Sequence, residues 1–338
     1  MRRLNNCLEN KNYTNIPVWF MRQAGRYLKE FRNIRKKNPN FIKLCLNSNL
    51  VNEISLQPSK RFDLDATIVF SDILIVPYGL GQKVTFQKDF GPLLKKFDLD
   101  LIINTSPDEF INRIENVYKG LSLIKKNMDY KNQSLIGFAG SPWTLLIYMI
   151  HKQSPKKDFN IKKFFKNKTM INELLIKLEE FICLHIDKQI EAGANVIQIF
   201  DSWAGLLDKK NLLEYCFTPN LKIVEHVKKK KIPIICFPRG INKEEYKNFC
   251  EIVNPSAISI DYNVDPEWII NNLNNIPIQG GLNPEVLLSN KKDVEFEVNK
   301  YLDIFKNYPY IFNLGHGVLP NTDPSMIEFI LNIIRNKK

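Results

Sequence analysis

Short apolar runs that alternate with longer amphipathic stretches restrict the fold of this chain more than any other feature of its sequence. The runs are rich in Ile, Val and Phe, and most end in Gly, Asp or Pro. Strands buried on both faces of a parallel sheet have this pattern. The predicted strands are residues 135–140, 195–201, 232–238, 257–261, 276–282 and 310–317, with 65–73 upstream and a weaker candidate at 17–22.

The stretches between these runs have the periodicity of amphipathic helices. Ser141 followed by Pro142 predicts a helix start, because serine caps a helix and proline fits its first turn. Gly193 predicts a helix end. Repeated strand–helix units favour an α/β fold with parallel strands. The predicted helices include residues 172–194, 208–231, 243–253 and 266–275.

The seven or eight strand–helix units predict a single (β/α)8 barrel of the TIM type, with insertions, rather than an open sheet. The 338 residues exceed the about 250 that are usual for such a barrel, and we place the excess mainly in residues 74–130 and 150–170. Length alone suggests two domains. Because no linker divides the sequence, we predict one domain over residues 1–338.

The composition excludes several classes of protein. With 44% hydrophobic residues the chain can bury a core, which excludes disorder as its main state. No apolar run approaches the about 18 residues of a membrane span, and the N-terminal residues lack the apolar region of a signal peptide. The six cysteines contain no Cys-x-x-Cys pair, which favours reduced thiols. We therefore expect a cytoplasmic protein that does not bind a membrane.

The basic residues point to an anionic partner. The net charge is +12, which is compatible with binding to nucleic acid, to an acidic membrane surface or to a polyanionic small substrate. The run of lysines at 228–231 is interpreted as a solvated helix end. Only ten of the 48 basic residues are arginine, yet four of the ten lie between Arg22 and Arg35. Arginine offers a planar fork that binds a carboxylate at two points, so we expect an anion site there.

The sequence leaves two arrangements of these arginines open. Arg22 and Arg26 are four residues apart and would share one face of a helix, from which Arg35 would point away. Gly25 and Tyr27 favour a turn in this stretch that could bring all three arginines toward one cleft. The alternative is a basic amphipathic segment on the surface.

Two further residues stand at predicted strand ends, where barrels of this type carry their functional groups. Asp72 lies between two apolar stretches, so it is expected to be partly desolvated and to need a cationic or hydrogen-bonding partner. A helix cap is its alternative role. His316 stands between two glycines, where backbone can approach a ligand closely. The sequence has no nucleotide-binding loop and no spacing of ligands typical of a metal site.

Several motifs resemble those of the uroporphyrinogen decarboxylase family, and they extend over nearly the whole chain. They are residues 17–27 (PVWFMRQAGRY), 70–73 (FSDI), 137–145 (GFAGSPWTL) with Tyr148-Met149, 198–205 (QIFDSWAG) and 312–317 (FNLGHG) with Pro320.

The resemblance implies a single (β/α)8 barrel, a homodimer, and an enzyme of porphyrin and heme biosynthesis that needs neither cofactor nor metal. Such an enzyme converts the four acetate side chains of uroporphyrinogen III to methyls, which gives coproporphyrinogen III. The motifs imply catalytic roles for Asp72, Arg22 and Arg26. The substrate-binding residues that they imply are Arg22, Gln23, Ala24, Gly25, Arg26, Asp72, Tyr148, Ser202 and His316, with Arg35 as a further candidate.

The sequence departs from the family pattern at Lys29, at Arg239 and in residues 280–284, where Gly281 and Asn283 replace the usual Asn and Asp. Three other functions remain alternatives. A barrel methyltransferase that uses zinc would need a His-x-Cys motif, which the chain lacks. A nucleic-acid-binding protein would need a basic stripe on a recognised module, so we expect no nucleic-acid partner. The third alternative is a paralogue that has lost activity and kept only a structural role.

Overall fold

The computed structural model describes residues 2–87, 90–156, 159–273 and 276–337. In these residues, seven parallel strands form one sheet, in the order β1-β4-β5-β6-β7-β8-β9, and two antiparallel strands form a hairpin beside it. The strands are β1 Ala66–Ile68, β2 Val84–Gln87, β3 Gly91–Leu94, β4 Ser134–Gly140, β5 Val196–Asp201, β6 Ile234–Pro238, β7 Ala257–Ile260, β8 Ile278–Gly280 and β9 Tyr310–Ile311.

The segment around Val18 closes the sheet into a barrel. Val18 forms a parallel bridge with Phe312, and the Phe312 amide donates to the carbonyl of Pro17 at 2.9 Å. On the other side, the Asp65 amide donates to the Val18 carbonyl at 2.8 Å, just before β1. The weak strand candidate at 17–22 therefore occupies the eighth position of the barrel. It pairs only around Val18, because the chain turns at residues 20–23.

The α-helices connect the strands and cover the barrel. They are α1 Arg3–Asn10, α2 Lys29–Lys37, α3 Phe41–Cys45, α4 Ser48–Arg61, α5 Ile75–Gly79, α6 Leu99–Asn104, α7 Pro107–Asn127, α8 Pro142–His151, α9 Ile161–Phe164, α10 Lys168–Glu191, α11 Lys209–Leu212, α12 Thr218–Lys229, α13 Lys243–Val253, α14 Pro266–Asn272, α15 Lys291–Ile304 and α16 Pro324–Asn336. A π-helical turn, Leu213–Phe217, joins α11 to α12, and two 3-10 turns cover Ala204–Leu206 and Pro284–Leu288.

The helix signals in the sequence are confirmed at both ends. The Ser141 side chain accepts from the Thr144 amide at the start of α8, with Pro142 in the first turn. Gly193 follows α10 with a φ of +118°, which favours glycine. The helix predicted for 208–231 is interrupted by the π-helical turn, and α14 ends at Asn272. The last two residues of the predicted helix 266–275 lie outside the described residues.

A layer of hydrogen-bonded polar side chains fills part of the barrel interior. Gln279 on β8 accepts from the Trp19 indole at 2.9 Å and donates to Gln198 on β5 at 2.9 Å and to Ser259 on β7 at 2.6 Å. Gln279 and Gln198 lie on strands that are not neighbours, so the bond between them crosses the barrel. Because buried polar groups are costly unless paired, the layer fixes the position of the segment around Trp19.

No helix within the described ranges combines the length and apolar character needed to cross a bilayer. All six cysteines are free thiols.

Candidate active site

Polar and charged residues meet at the carboxyl ends of the strands. Asp72 follows β1, Ser202 follows β5, Arg239 follows β6 and His316 follows β9, while Arg22 follows the closing segment. This edge is where (β/α)8 barrels carry their reactive groups. It is therefore the candidate active site.

Arg22 lies in a turn, not in a helix. The Gln23 amide donates to the Phe20 carbonyl at 2.9 Å, and Arg22 has a φ of +62°. A non-glycine residue in this left-handed region carries a strain of roughly 1–3 kcal/mol. The predicted helical face shared by Arg22 and Arg26 is therefore wrong, since α2 begins only at Lys29. The turn foreseen at Gly25 is confirmed: a Cβ there would lie 2.6 Å from the Arg22 carbonyl oxygen, so glycine is required.

Gln23 holds this turn against β1 from beneath. Its side chain is fully buried, its carbonyl oxygen accepts from the Phe20 amide at 3.0 Å, and its NH2 group donates to the Ala66 carbonyl at 3.0 Å. Both ends of the amide are thus engaged by the protein. Its role in substrate binding, like that of the partly buried Ala24 next to it, stays a prediction.

Arg22 is the electrostatic centre of the site. Arg22 is an exposed residue, yet protein surrounds its guanidinium closely enough that desolvation lowers its pKa. Arg22 interacts electrostatically with five groups around it. They are Asp72, Arg26, Tyr148, Arg239 and His316. The structure thus brings most of the predicted site residues around one arginine.

Asp72 is a largely buried carboxylate beside this cation. One carboxylate oxygen accepts from the Leu74 amide at 2.9 Å. Burial raises the pKa of Asp72 to about 6, although the Leu74 amide and the Arg22 charge both oppose the shift. Phe70, two residues earlier, belongs to an aromatic cluster with Phe31 and Phe41, at ring separations of 5.6 and 5.7 Å. The low polarity of this wall explains why desolvation dominates.

His316 is neutral at physiological pH. Burial lowers its pKa to about 3, and the cations Arg22 and Arg239 add to the effect. Its Nδ1 atom is buried without a hydrogen-bond partner. Gly317 next to it leaves room for the Arg22 side chain, since a Cβ at Gly317 would lie 2.3 Å from Arg22 Cδ. His316 thus brings a neutral imidazole, not a charge, to this end of the barrel.

Tyr148 lies on α8, and Ser202 directly follows β5. The Tyr148 hydroxyl lies 3.4 Å from Ser154 Oγ, and burial raises its pKa. Its ring packs edge-on against Trp203 at 6.1 Å. The Trp203 amide donates to Thr144 Oγ1 at 3.1 Å, which fixes the chain beside Ser202.

Arg35 lies apart from the Arg22 group. Its guanidinium donates to the Asn38 carbonyl at 2.6 Å and stacks over the Phe41 ring at 5.4 Å. Cys45 is close enough to both Asp72 and Arg35 that both charges affect its pKa, which burial raises. Arg35 is thus placed near the Asp72 loop, and its contact with substrate stays a prediction.

Sequence reasoning missed two residues of the site. Arg239 was not predicted as a site residue, yet its charge acts on both Arg22 and His316. Its signal was available, because it is one of the few arginines in a lysine-rich chain and follows a predicted strand. Asn313 was noted only as part of a motif. Its oxygen accepts from the Met21 amide at 2.9 Å, a contact between residues 292 positions apart.

The other departures from the family pattern have local explanations. Asn283 accepts from the Glu285 amide at 3.0 Å and caps the 3-10 turn that follows, which asparagine does as well as aspartate. Gly281 has a φ of +97°, a conformation that favours glycine. Lys29 is the first residue of α2.

Comparison with known proteins agrees with the motifs. The family model described as "Uroporphyrinogen decarboxylase (URO-D)" matches residues 1–337. The chain belongs to the uroporphyrinogen decarboxylase family. It is 42% identical to the uroporphyrinogen decarboxylase of Rickettsia bellii over 323 residues, which covers 94% of each chain. It is 40% identical to that of Wolbachia pipientis, again over 323 residues, or 95% of this chain and 94% of the relative.

Among solved structures, a methyltransferase from Methanosarcina mazei is similar in fold to this member of the uroporphyrinogen decarboxylase family. The TM-score is 0.78 at 14% identity, and the match covers 98% of this chain and 97% of the other. At this identity the likeness concerns the fold alone, and it confirms the predicted α/β barrel architecture.

Proposed function

We propose that this chain decarboxylates the four acetate side chains of uroporphyrinogen III to methyls, giving coproporphyrinogen III in porphyrin and heme biosynthesis. The observation that carries the proposal is the pairing of a largely buried carboxylate, Asp72, with Arg22, around which the cations Arg26 and Arg239 also lie. An acid whose pKa burial raises, beside an arginine, is a common feature of catalytic sites. Full-length relatives that carry this activity in their names support the choice of reaction.

The substrate carries eight carboxylates, so the cleft must bind many negative charges. We assign this task to Arg22 and Arg26, with Arg239 as a third cation of the same group. Arginine binds a carboxylate through two parallel hydrogen bonds, which fixes the orientation of an acetate arm as well as its position. Ser202 and the neutral His316 add hydrogen-bonding groups without adding charge.

Asp72 stabilises the cation that the reaction requires. Protonation of a pyrrole carbon turns the ring into a cationic, iminium-like electron acceptor. The bond between the acetate methylene and its carboxylate then breaks, carbon dioxide leaves, and the electron pair passes into the ring. The methylene carbon takes up a proton and the ring gives one back, so each acetate consumes one proton in total. An ionised Asp72 that accepts the pyrrole N–H bonds lowers the energy of the cation.

The electrostatics of the site narrow the choice of proton donor. A histidine whose pKa is lowered to about 3 is a neutral imidazole at neutral pH, and its remaining N–H is a very weak acid, which favours a hydrogen-bonding role for His316. Arg22 and Tyr148 remain as donors, because each lies in the same electrostatic group as Asp72.

We further propose that the reaction uses neither metal nor organic cofactor, because the pyrrole ring itself accepts the electrons. Dialysis against a chelator is expected to leave kcat and KM unchanged. Loss of turnover that zinc restores would contradict this proposal.

We also propose a cytoplasmic homodimer whose subunits are single domains over residues 1–338. The core supports the single domain, since buried residues from Leu4 to Ile334 form one hydrophobic cluster. The dimer rests on family membership. Sedimentation equilibrium at micromolar concentration is expected to give twice the mass of the chain, and a monomer would contradict the dimer.

The decisive experiment is an anaerobic assay with chemically reduced uroporphyrin III and chromatography of the oxidised products. We expect intermediates with seven, six and five carboxylates and a final product with four. A folded chain that releases no carbon dioxide would favour the paralogue with a structural role. Zinc-dependent methyl transfer to a thiol would favour the methyltransferase, and tight DNA binding that weakens with salt would favour a nucleic-acid partner.

A further inference from the structure

The left-handed conformation of Arg22 requires an explanation, because arginine does not adopt it without support. Strained residues persist only where the surrounding structure fixes them. Two groups of bonds hold the turn around Arg22. Gln23 anchors it to β1 from below, as described above. The loop after β9 holds it from the side, through residues 313–318.

The contact from this loop is a pair of hydrogen bonds to Met21, the residue before Arg22. The Met21 amide donates to the side-chain oxygen of Asn313 at 2.9 Å, and the Met21 carbonyl accepts from the Val318 amide at 2.9 Å. The same Asn313 oxygen accepts from its neighbour, the Leu314 amide, at 2.8 Å. The peptide groups on both sides of Met21 are thus bonded to one loop, and that loop also carries His316.

The side-chain oxygen of Asn313 joins the Met21 amide to the start of its own loop, at the Leu314 amide. The Asn313 side chain is buried at 1% exposure, and its NH2 group has no hydrogen-bond partner. Two amides point at one oxygen, so the orientation of the carboxamide is determined despite the usual ambiguity between oxygen and nitrogen. A buried amide that leaves its NH2 group unpaired is costly. The free energy gained from the hydrogen bonds to the Asn313 oxygen has to exceed the cost of the unpaired NH2 group.

We propose that Asn313 is a positioning residue for Arg22: its side-chain oxygen holds the strained turn that places the Arg22 guanidinium in the cleft. Gly317 completes the arrangement, since the Arg22 side chain lies across it where any Cβ would collide. The loop that presents His316 therefore also sets the geometry of Arg22. The inference rests on the proposed function, because its kinetic test uses that reaction.

The first test compares Asn313→Leu with Asn313→Asp. Leucine has a similar size but no acceptor, whereas aspartate keeps an oxygen for both amides. We expect kcat/KM for uroporphyrinogen III to fall by about 10- to 100-fold in Asn313→Leu, because small displacements of a positioning group are costly. Asn313→Asp should restore most of it. If Asn313→Leu does not fold, Asn313→Ser replaces it, since its hydroxyl is too short to reach Met21.

Hydrogen exchange of the Met21 amide supplies a readout that needs no substrate. The Asn313 oxygen accepts a hydrogen bond from this amide. Protection of the Met21 amide against exchange should therefore fall in Asn313→Leu and persist in Asn313→Asp. Gly317→Ala tests the other contact. It should lower kcat/KM by displacing the Arg22 side chain while the Met21 amide stays protected.

Asn195 provides a matched control. It is also buried, its side-chain oxygen also accepts a backbone amide, that of Leu135 at 3.0 Å, and its NH2 group is also unpartnered. It precedes β5 and so lies at the opposite end of the barrel from the cleft. Asn195→Leu should lower the melting temperature and leave kcat/KM unchanged.

A double-mutant cycle decides whether Asn313 acts through Arg22. In an Arg22→Ala background, Asn313→Leu should cause no further loss of kcat/KM, because the group that it positions is gone. An equal further loss would overturn the proposal, as would wild-type kcat/KM with a protected Met21 amide in Asn313→Leu. If the wild-type chain itself shows no decarboxylation, the proposed function fails. The exchange experiment then still tests the contact.

Discussion

Asp72→Asn is expected to lower kcat by about 100-fold or more without lowering the melting temperature. Asparagine keeps the oxygen that accepts the Leu74 amide but lacks the negative charge. Loss of one electrostatic stabiliser of a transition state costs on the order of 10²- to 10³-fold in kcat. Burial raises the pKa of Asp72, so its charged form is disfavoured in the folded protein. Removing that charge relieves a destabilising interaction at neutral pH.

The pH profile of the wild-type enzyme provides a second measurement of the same carboxylate. The pKa of Asp72 is raised from its ordinary value to about 6. The ionised form needed for catalysis is therefore lost as the pH falls through about 6, and kcat/KM should drop about tenfold per unit below it. The free energy of unfolding changes in the opposite direction. Between pH 3.8 and 6 Asp72 ionises in the unfolded chain and stays protonated in the folded chain, so raising the pH over this range lowers the free energy of unfolding. Asp72→Asn should lack the acidic limb.

Asp65 is the control for this substitution, because it lies at the opposite end of the same strand. Its carboxylate accepts from the Val18 amide at 2.6 Å and from Arg335 at 2.7 Å, so it joins the closing segment to α16. Asp65→Asn should lower the melting temperature and leave kcat close to wild type. If Asp72→Asn behaved in the same way, Asp72 would be a helix cap and the mechanistic assignment would be wrong.

Arg22→Lys is expected to lower kcat/KM by about 10- to 100-fold, mainly through KM. Lysine keeps the positive charge and adopts the left-handed conformation no more easily, so the backbone strain is unchanged. It lacks the planar fork, which costs one charge-assisted hydrogen bond to a substrate carboxylate, or roughly 1.5–3 kcal/mol. Initial rates over a range of uroporphyrinogen III concentrations separate the two kinetic constants.

Arg335→Lys is the matched control for Arg22→Lys. Arg335 donates to Asp63 at 2.9 Å and to Asp65 at 2.7 Å, away from the cleft. Its replacement should lower the melting temperature and leave KM unchanged. A fall in kcat with unchanged KM in Arg22→Lys would instead indicate that Arg22 acts in the transition state, as a proton donor would. Unchanged kinetics would remove Arg22 from the site.

The sequence determined the architecture, because its signals are local. A buried strand is recognised from a few consecutive apolar residues, and a helix from a period of 3.6 residues and its caps. Residues 135–140 and 195–201 could therefore be placed in β4 and β5 from sequence, and Ser141 at the start of α8. Asp72 and His316 could be chosen as candidate functional residues for the same reason, since both stand at the ends of apolar runs that predict strands.

The tertiary structure alone decided the conformation and ionisation of the site. The left-handed turn at Arg22 is held by Asn313, 291 residues away, whereas the local sequence left both a helix and a turn open there. Burial raises the pKa of Asp72 against the opposing charge of Arg22, whereas burial and the charges of Arg22 and Arg239 together keep His316 neutral. Electrostatic fields sum over residues that are distant in sequence and close in space, so the apolar stretches around Asp72 predicted its desolvation but not the charges that act on the site.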